Sequence, residues 1–121
     1  MNLETITNLN QTVAVISDEE PILTNVQSAL DLIMAARYTA GSQLLAIDKR
    51  AVTEKFFILS NGLAGEILQK FINYRTKLAI YGDFSHNTSR PLQEFMWESN
   101  NGNDIFFTPT KDEAIRRLTH G

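Results

Sequence analysis

Apolar and polar residues follow two spacings along this chain, and the change from one to the other marks the predicted elements. Between residues 26 and 34, apolar side chains recur every three or four positions, which is the spacing of one helix face. The runs at 44–47, 77–81 and 104–108 are short and mostly apolar, which is typical of buried strands. Because helical segments alternate with these runs, the pattern predicts parallel strands joined by right-handed crossovers.

The beginning of the chain has the pattern of an antiparallel hairpin. Residues 3–7 alternate in the manner of a strand, residues 12–16 are rich in β-branched side chains, and Asn8-Leu9-Asn10 between them supplies turn chemistry. The full predicted order is therefore β-β-α-β-α-β-α-β-α, in one domain over residues 1–121. It indicates an α/β fold with a single mixed, mostly parallel sheet packed by helices.

Polar residues in front of the helical segments predict where the helices begin. Thr24 is expected to cap the first helix and Thr110 the last, while Ser89 and Pro91 open the third. The segment 49–59 fits either a half-turn of helix or an extended segment under the sheet. The side chains expected in the core are Leu30, Ile33, Leu68, Phe71, Phe95 and Ile115.

Composition narrows the classes of function. The chain has 43% hydrophobic and 21% charged residues and a formal charge of −3, so we expect a globular protein without a nucleic-acid partner. It contains no cysteine, which excludes disulfides, thiolate metal sites and a cysteine nucleophile. The sequence has neither a signal-peptide pattern nor an apolar run of membrane-spanning length, so we expect a cytoplasmic protein without a membrane partner.

The segment 59–65 reads Leu-Ser-Asn-Gly-Leu-Ala-Gly and lies between a predicted strand and a predicted helix. In this order of elements it resembles the STAS superfamily, the fold of bacterial anti-sigma-factor antagonists and of the cytoplasmic domains of sulfate transporters. The corresponding loop of that family reads Asp-Ser-Ser-Gly-Leu-Gly, and its first or second serine can be phosphorylated. Ser60 matches one serine, Asn61 replaces the other, and Leu59 replaces the acidic residue. The resemblance implies a STAS-like partner-switch domain with Ser60 as its phosphorylation site.

Longer blocks resemble a second family. Residues 24–32, 62–71 and 98–102 are similar, in order and in spacing, to the bacterial family catalogued as domain of unknown function 4180. This resemblance implies membership of that family and brings no activity with it.

The predicted topology brings five candidate positions to the carboxyl edge of the sheet, where α/β proteins usually keep their sites. These predicted binding residues are Asp48, Ser60, Asn61, Gly62 and Asp83. The start of the helix after Gly62 favours an anion or a phosphoryl group. The alternative is that Ser60 or Asn61 only caps this helix.

His86 is a sixth candidate for the binding surface. It follows Asp83 at a spacing at which a carboxylate can orient an imidazole for acid–base chemistry. The polar segment 87–89 is equally explained as a loop that leads into a helix cap. We assign no catalytic residue and no cofactor. We also assign no metal site, since the two histidines have no neighbouring cysteine.

Three aromatic residues are predicted to form an interface. Phe56 and Phe57 belong to the loop 56–62, and Trp97 lies off the apolar face of its helix, which suggests an interface anchor. The alternative for Trp97 is packing over Phe84 within one copy of the chain.

The sequence therefore predicts a small cytoplasmic protein-binding or regulatory module. Its surface would combine residues 56–62 with 82–86 and would meet a protein partner or a second copy of the chain in a homodimer. The alternative is a protein that binds a small anionic or phosphoryl ligand, or an enzyme, using Asp48, Asp83 and His86. A third possibility is a binding subunit that is not regulated by phosphorylation. A partner-binding protein should have a shallow, exposed serine loop, whereas an enzyme should have a deep pocket with convergent polar groups.

Overall fold

The computed structural model describes residues 1–120 and contains one five-stranded mixed sheet. The strands are adjacent in chain order, so that each one pairs with the next. The first pair is antiparallel and the other three pairs are parallel, which confirms the predicted hairpin and the predicted parallel strands. The strands are β1 (Asn2–Asn8), β2 (Gln11–Ser17), β3 (Leu44–Asp48), β4 (Lys77–Tyr81) and β5 (Ile105–Thr108).

Four helices cover the two faces of the sheet unequally. Right-handed crossovers between neighbouring parallel strands place their helices on one face, and three helices pack there. The last helix follows the last strand and packs on the opposite face. The helices are α1 (Val26–Ala40), α2 (Leu63–Asn73), α3 (Arg90–Asn100) and α4 (Lys111–Thr119).

Successive side chains of each strand point to opposite faces of the sheet, which divides the core into two clusters. On β3, Leu45 and Ile47 point toward the three helices, while Ala46 points toward α4. Ala79 of β4 also lies beneath α4, and these two small side chains leave room for the helix to approach the sheet. Among residues 1–120, no helix is both long enough and apolar enough to cross a membrane.

The core prediction is confirmed for four of its six side chains. Ile33, Leu68, Phe71 and Ile115 are buried, whereas Leu30 and Phe95 are half-buried.

The N-caps of α3 and α4 agree with the sequence prediction, whereas that of α1 does not. Ser89 accepts a hydrogen bond from the backbone N–H of Leu92, and Thr110 caps α4. The predicted cap Thr24 is wrong, because Asn25 accepts from the N–H of Ser28 and the Ser28 hydroxyl lies 3.0 Å from the N–H of Asn25. The capping box is therefore shifted by one residue along the chain.

The segment before α2 follows the helical of the two alternatives, with short helical turns rather than one extended segment. It forms three short 3-10 turns, at Lys49–Ala51, Glu54–Phe57 and Leu59–Asn61. These turns direct Phe56 and Phe57 inward, where both are buried in the main core. Phe56 is 0% exposed, so the prediction that it forms an interface is wrong for this conformation. Phe57 keeps 8% of its surface exposed, and its part in an interface stays a prediction.

A side chain of α3 occupies the free edge of β5. The amide of Asn100 accepts from the backbone N–H of Phe107 at 2.7 Å and donates to its carbonyl oxygen at 3.1 Å. This pair of bonds reproduces what a neighbouring strand would offer. Pro109 follows β5 directly and has no N–H to offer. The edge is thereby closed to further pairing at Phe107 and at Pro109.

We predict that Asn100→Ala lowers the free energy of unfolding by about 1–3 kcal/mol, because it leaves two backbone groups of Phe107 without their partner. Urea denaturation followed by circular dichroism measures the change. The matched control is Asn103→Ala, since Asn103 is exposed and has no side-chain hydrogen bond within residues 1–120. Equal stabilities of the two variants would contradict the assigned role of Asn100.

Candidate functional site

An open cleft lies at the carboxyl ends of β3 and β4. It has a volume of about 1310 Å³, and its walls come from the loop after β2, the 3-10 turns and the loop after β4. The predicted residues Asp48, Asp83 and His86 all line it. Parallel strands end at the same edge of a sheet, which is why residues distant in sequence meet here.

Lys49 joins two walls of the cleft. Its ammonium group donates to the carbonyl oxygen of Asp83 at 2.7 Å and to the side-chain oxygen of Asn87 at 2.6 Å. The same nitrogen lies 4.9 Å from the ring centroid of Phe84 and 5.5 Å from that of Phe57. Such distances give a cation–π attraction in addition to the hydrogen bonds. Lys49 therefore holds the loop after β4 against the 3-10 segment.

Gly82 allows the close approach on which Lys49 depends. Its backbone has a φ of 154°, a value that residues with a Cβ rarely adopt. A Cβ at this position would lie 2.7 Å from the Cβ of Lys49, which is too short for any contact between two carbon atoms. A glycine is therefore needed where β4 leaves the sheet.

Asp48 is paired with Arg50 on the same wall. Its carboxylate accepts the backbone N–H of Arg50 at 2.9 Å and two guanidinium nitrogens at 3.0 and 3.3 Å. The hydrogen bond with Asp48, followed by the negative charge of that carboxylate, raises the pKa of Arg50.

Tyr81 stands directly opposite Asp48 in the register of β3 and β4. Burial of the phenol, followed by the charge of Asp48, raises the pKa of Tyr81 above its ordinary value.

Asp83 bonds to its own loop rather than to His86. Its carboxylate accepts the backbone N–H of Ser85 at 2.8 Å. Hydrogen bonds from the side chain and then the backbone of Ser85 are the main reason that the pKa of Asp83 lies below its usual value. His86 is exposed, and within residues 1–120 it has no hydrogen bond with Asp83. The expected orientation of the imidazole by Asp83 is absent from this conformation.

The turn Ser60-Asn61-Gly62 does not line the cleft, so the predicted binding surface divides into two parts. The N-cap residue of α2 is Gly62, which has no side chain to cap the helix. The side chain of Asn61, one position earlier, accepts the N–H of Leu63 at 2.9 Å and donates to the carbonyl of Lys55 at 2.8 Å. Ser60 is exposed, and its hydroxyl has no hydrogen bond within residues 1–120. Neither capping candidate occupies the N-cap position, although Asn61 pairs the first N–H of the helix.

Ile58 connects the two parts. It lines the cleft, stands two positions before Ser60, and is 55% exposed. Ile58 lies within the predicted surface segment 56–62, but the sequence does not single it out, because a run of apolar residues does not show which one turns outward.

Trp97 is 69% exposed on the outer side of α3. It does not pack over Phe84, whose ring instead contacts the rings of Phe57 and Phe107 at centroid distances of 5.9 Å. Trp97 is thus available to a partner, as an interface anchor must be.

The charges of the cleft are mixed. Four carboxylate residues and three cationic residues line it, so it has no strong preference for an anion. The carboxylates are Glu19, Asp48, Glu54 and Asp83, and the cations are Lys49, Arg50 and Lys55. No group of three or more potential ligands that could hold a metal ion occurs within residues 1–120.

Comparison with known proteins identifies the family. The profile described as domain of unknown function (DUF4180) matches residues 8–118. The chain belongs to this family. Searches among curated proteins and among solved structures gave no significant match. The matched range of the DUF4180 profile includes β2 to β5 and every residue that lines the cleft.

The first prediction for this DUF4180 site concerns its electrostatics. Asp48→Asn should lower the pKa of Tyr81 toward its ordinary value, because the substitution removes the second cause of the shift. Absorbance titration of the phenol measures this in protein that also carries Tyr38→Phe and Tyr74→Phe, which leaves Tyr81 as the single tyrosine. Glu54→Gln is the control, since Glu54 lines the same cleft but is not among the causes of the shift.

The sign of the accompanying stability change follows from the direction of the shift. Since the folded pKa of Tyr81 is raised, its contribution to stability is complete below the unfolded pKa of about 10 and is lost as the pH rises through the folded pKa. Tyr81→Phe should remove this part of the alkaline loss of stability. An unchanged pKa of Tyr81 in Asp48→Asn would contradict the assigned coupling.

The second prediction concerns Gly82. Gly82→Ala should lower the free energy of unfolding by about 1–3 kcal/mol, because alanine is strained at this φ and its Cβ would overlap Lys49. Gly65→Ala is the matched control, since Gly65 lies within α2 and a Cβ there has no other atom within 4 Å. The control Gly65→Ala should raise the free energy of unfolding by about 0.5–1 kcal/mol. Thermal unfolding of both variants tests the difference, and a neutral Gly82→Ala would show that no close approach exists.

Proposed function

We propose that this DUF4180 protein is a cytoplasmic binding module that presents the carboxyl edge of its sheet to a partner protein. The proposed surface consists of the cleft, the exposed side chain of Ile58 and the adjacent turn with Ser60. One observation carries the proposal: the side chains of Asp48, Lys49 and Asp83 in the cleft are paired within the chain, while the Ser60 hydroxyl is exposed and unpaired within residues 1–120.

The pairing of the cleft favours binding over catalysis. Lys49 is held by Asp83 and Asn87, and Asp48 is held by Arg50. A catalytic site needs a nucleophile, a base or an acid directed at a common point. Here the paired groups Asp48, Lys49 and Asp83 instead fix the shape of an open surface, and a rigid surface loses little entropy when a partner binds.

The place of Ser60 supports a switch of the STAS type. Ser60 lies in an exposed 3-10 turn directly before α2. The sheet beside this helix has parallel strands that follow one another in chain order. Asn61 fixes this turn through the carbonyl of Lys55, a residue that lines the cleft. A phosphate on Ser60 would add about −2 charge at the rim of the binding surface. Phosphorylation would then control binding by charge while the fold stays unchanged.

The alternative of a small anionic ligand has less support. The cleft is open, and its carboxylates outnumber its cations. In addition, the N–H of Leu63 at the start of α2 is already bonded to Asn61, so it is not available to an anion.

The experiment begins with a photo-crosslinking amino acid at Ile58, which identifies the protein that contacts this position in the native cell. The affinity of the purified partner is then measured for wild type, Ser60→Ala, Ser60→Asp and the control Asn103→Asp. Asn103 lies just before β5, at the amino ends of the parallel strands, so its variant adds the same charge away from the proposed binding surface.

We expect Ser60→Asp to weaken binding by about tenfold or more, which corresponds to roughly 1.4 kcal/mol, while the melting temperature stays nearly constant. Ser60→Ala and Asn103→Asp should bind almost as tightly as wild type. Equal affinities of the two aspartate variants would refute the switch. A rise in melting temperature on addition of inorganic phosphate alone would support the ligand alternative instead.

A further inference from the structure

The outward backbone groups of the two edge strands, β1 and β5, differ in whether they have hydrogen-bond partners. At β5, the amide of Asn100 occupies the outward backbone groups of Phe107, and Pro109 follows. At β1, no strand pairs on the outer side, and no side chain within residues 1–120 bonds to that edge. The edge strand β1 contains no proline and no lysine, which proteins often place in such strands to prevent pairing.

The hairpin turn decides which backbone groups of β1 point outward. Leu9 and Asn10 both have positive φ, at 53° and 64°, and Asn8 pairs with Gln11 across them. This is a two-residue turn of the type I′ family, in which the residues that flank the turn form a hydrogen-bonded pair.

Hydrogen-bonded and non-bonded pairs alternate along an antiparallel ladder. Since Asn8 bonds to β2, the even-numbered residues of β1 also face β2. The N–H and C=O groups of Leu3, Thr5 and Thr7 therefore point away from the sheet. They form a row of six unpaired groups, spaced as the edge of an antiparallel ladder requires.

We propose that β1 pairs with β1 of a second copy of the chain, antiparallel and centred on Thr5, so that two sheets join into one. In this register Thr5 faces Thr5 of the second copy, and Leu3 faces Thr7 of the second copy. The outward groups of one strand then meet those of the other without an offset. A two-fold axis through Thr5 makes the contact isologous and closed.

The side chains of β1 fit this register. Its single charged residue, Glu4, would face Ile6 of the second copy, and its carboxylate already pairs with Lys111 of its own chain at 3.3 Å. Two large apolar side chains, Met1 and Leu9, are 64% and 61% exposed. They lie at equal distances along the chain from Thr5, so the register brings Met1 of one copy beside the turn that carries Leu9 of the other. This symmetry favours a second copy over an unrelated strand as the occupant.

Cysteine crosslinking tests the register directly, because the chain has no native cysteine. Paired across the axis, the two Thr5 Cα atoms would be about 5.5 Å apart, which suits a disulfide. Thr7 is also exposed, but the two Thr7 positions would be about 14 Å apart along the strands. Under mild oxidation Thr5→Cys should form covalent dimer at least tenfold more efficiently than Thr7→Cys. Equal crosslinking of the two variants would overturn the proposal.

Thr5→Pro tests the hydrogen bonds. Proline removes the outward N–H of Thr5 but leaves the bonds between β1 and β2, a situation that edge strands tolerate. Sedimentation equilibrium should show a dimer for wild type and at least a tenfold higher dissociation constant for Thr5→Pro, with circular dichroism confirming that the variant is folded.

Trp97→Ala serves as the comparison, since it removes the exposed aromatic side chain of α3 without touching β1. It should leave the dimer intact. A wild type that stays monomeric at the highest concentration reached, or a dimer that Trp97→Ala dissociates and Thr5→Pro does not, would show that β1 is not the interface.

Discussion

The parallel pairing of β3 with β4 is the interaction on which the carboxyl edge of this protein depends. In their register Asp48 lies opposite Tyr81, so the next residues, Lys49 and Gly82, leave the sheet side by side. Their close contact directs the lysine ammonium toward the loop after β4 and over two aromatic rings. A slip of one residue in this register would reverse the faces of one strand and separate the walls of the cleft.

Local patterns in the sequence were sufficient to predict the sheet and the helices. Helical spacing, short apolar runs and turn residues each report the backbone conformation of their own segment, and the right-handed crossover rule supplies the parallel pairing. The convergence of Asp48, Asp83 and His86 followed from this topology. The separation of Ser60 from them did not, because it depends on three 3-10 turns that have no periodic signal. The same turns explain why Phe56 and Phe57 were expected on the surface and are found inside.

Other details depend on contacts between distant residues. The shift of the first cap from Thr24 to Asn25 reflects a competition between two polar neighbours that propensity alone does not decide. The part of Asn100 in closing β5 could not be predicted, because an asparagine near a helix end normally suggests a cap. Lys49 and Arg50 follow a buried strand and carry charge, and this signal could have identified them as residues of the edge.

The position of α4 after all five strands determines when the second face of the sheet can be covered during synthesis. Within the described part of the chain α4 is the one helix on its face of the sheet, where it contacts all five strands and covers Val13, Val15 and Phe106. A ribosome makes it after every strand that it covers, at about 5–20 residues per second. A sheet that formed before α4 would have one covered face and one bare apolar face, and exposed apolar surface of this kind is prone to aggregation. Burial of the second face must therefore await the emergence of residues 111–119.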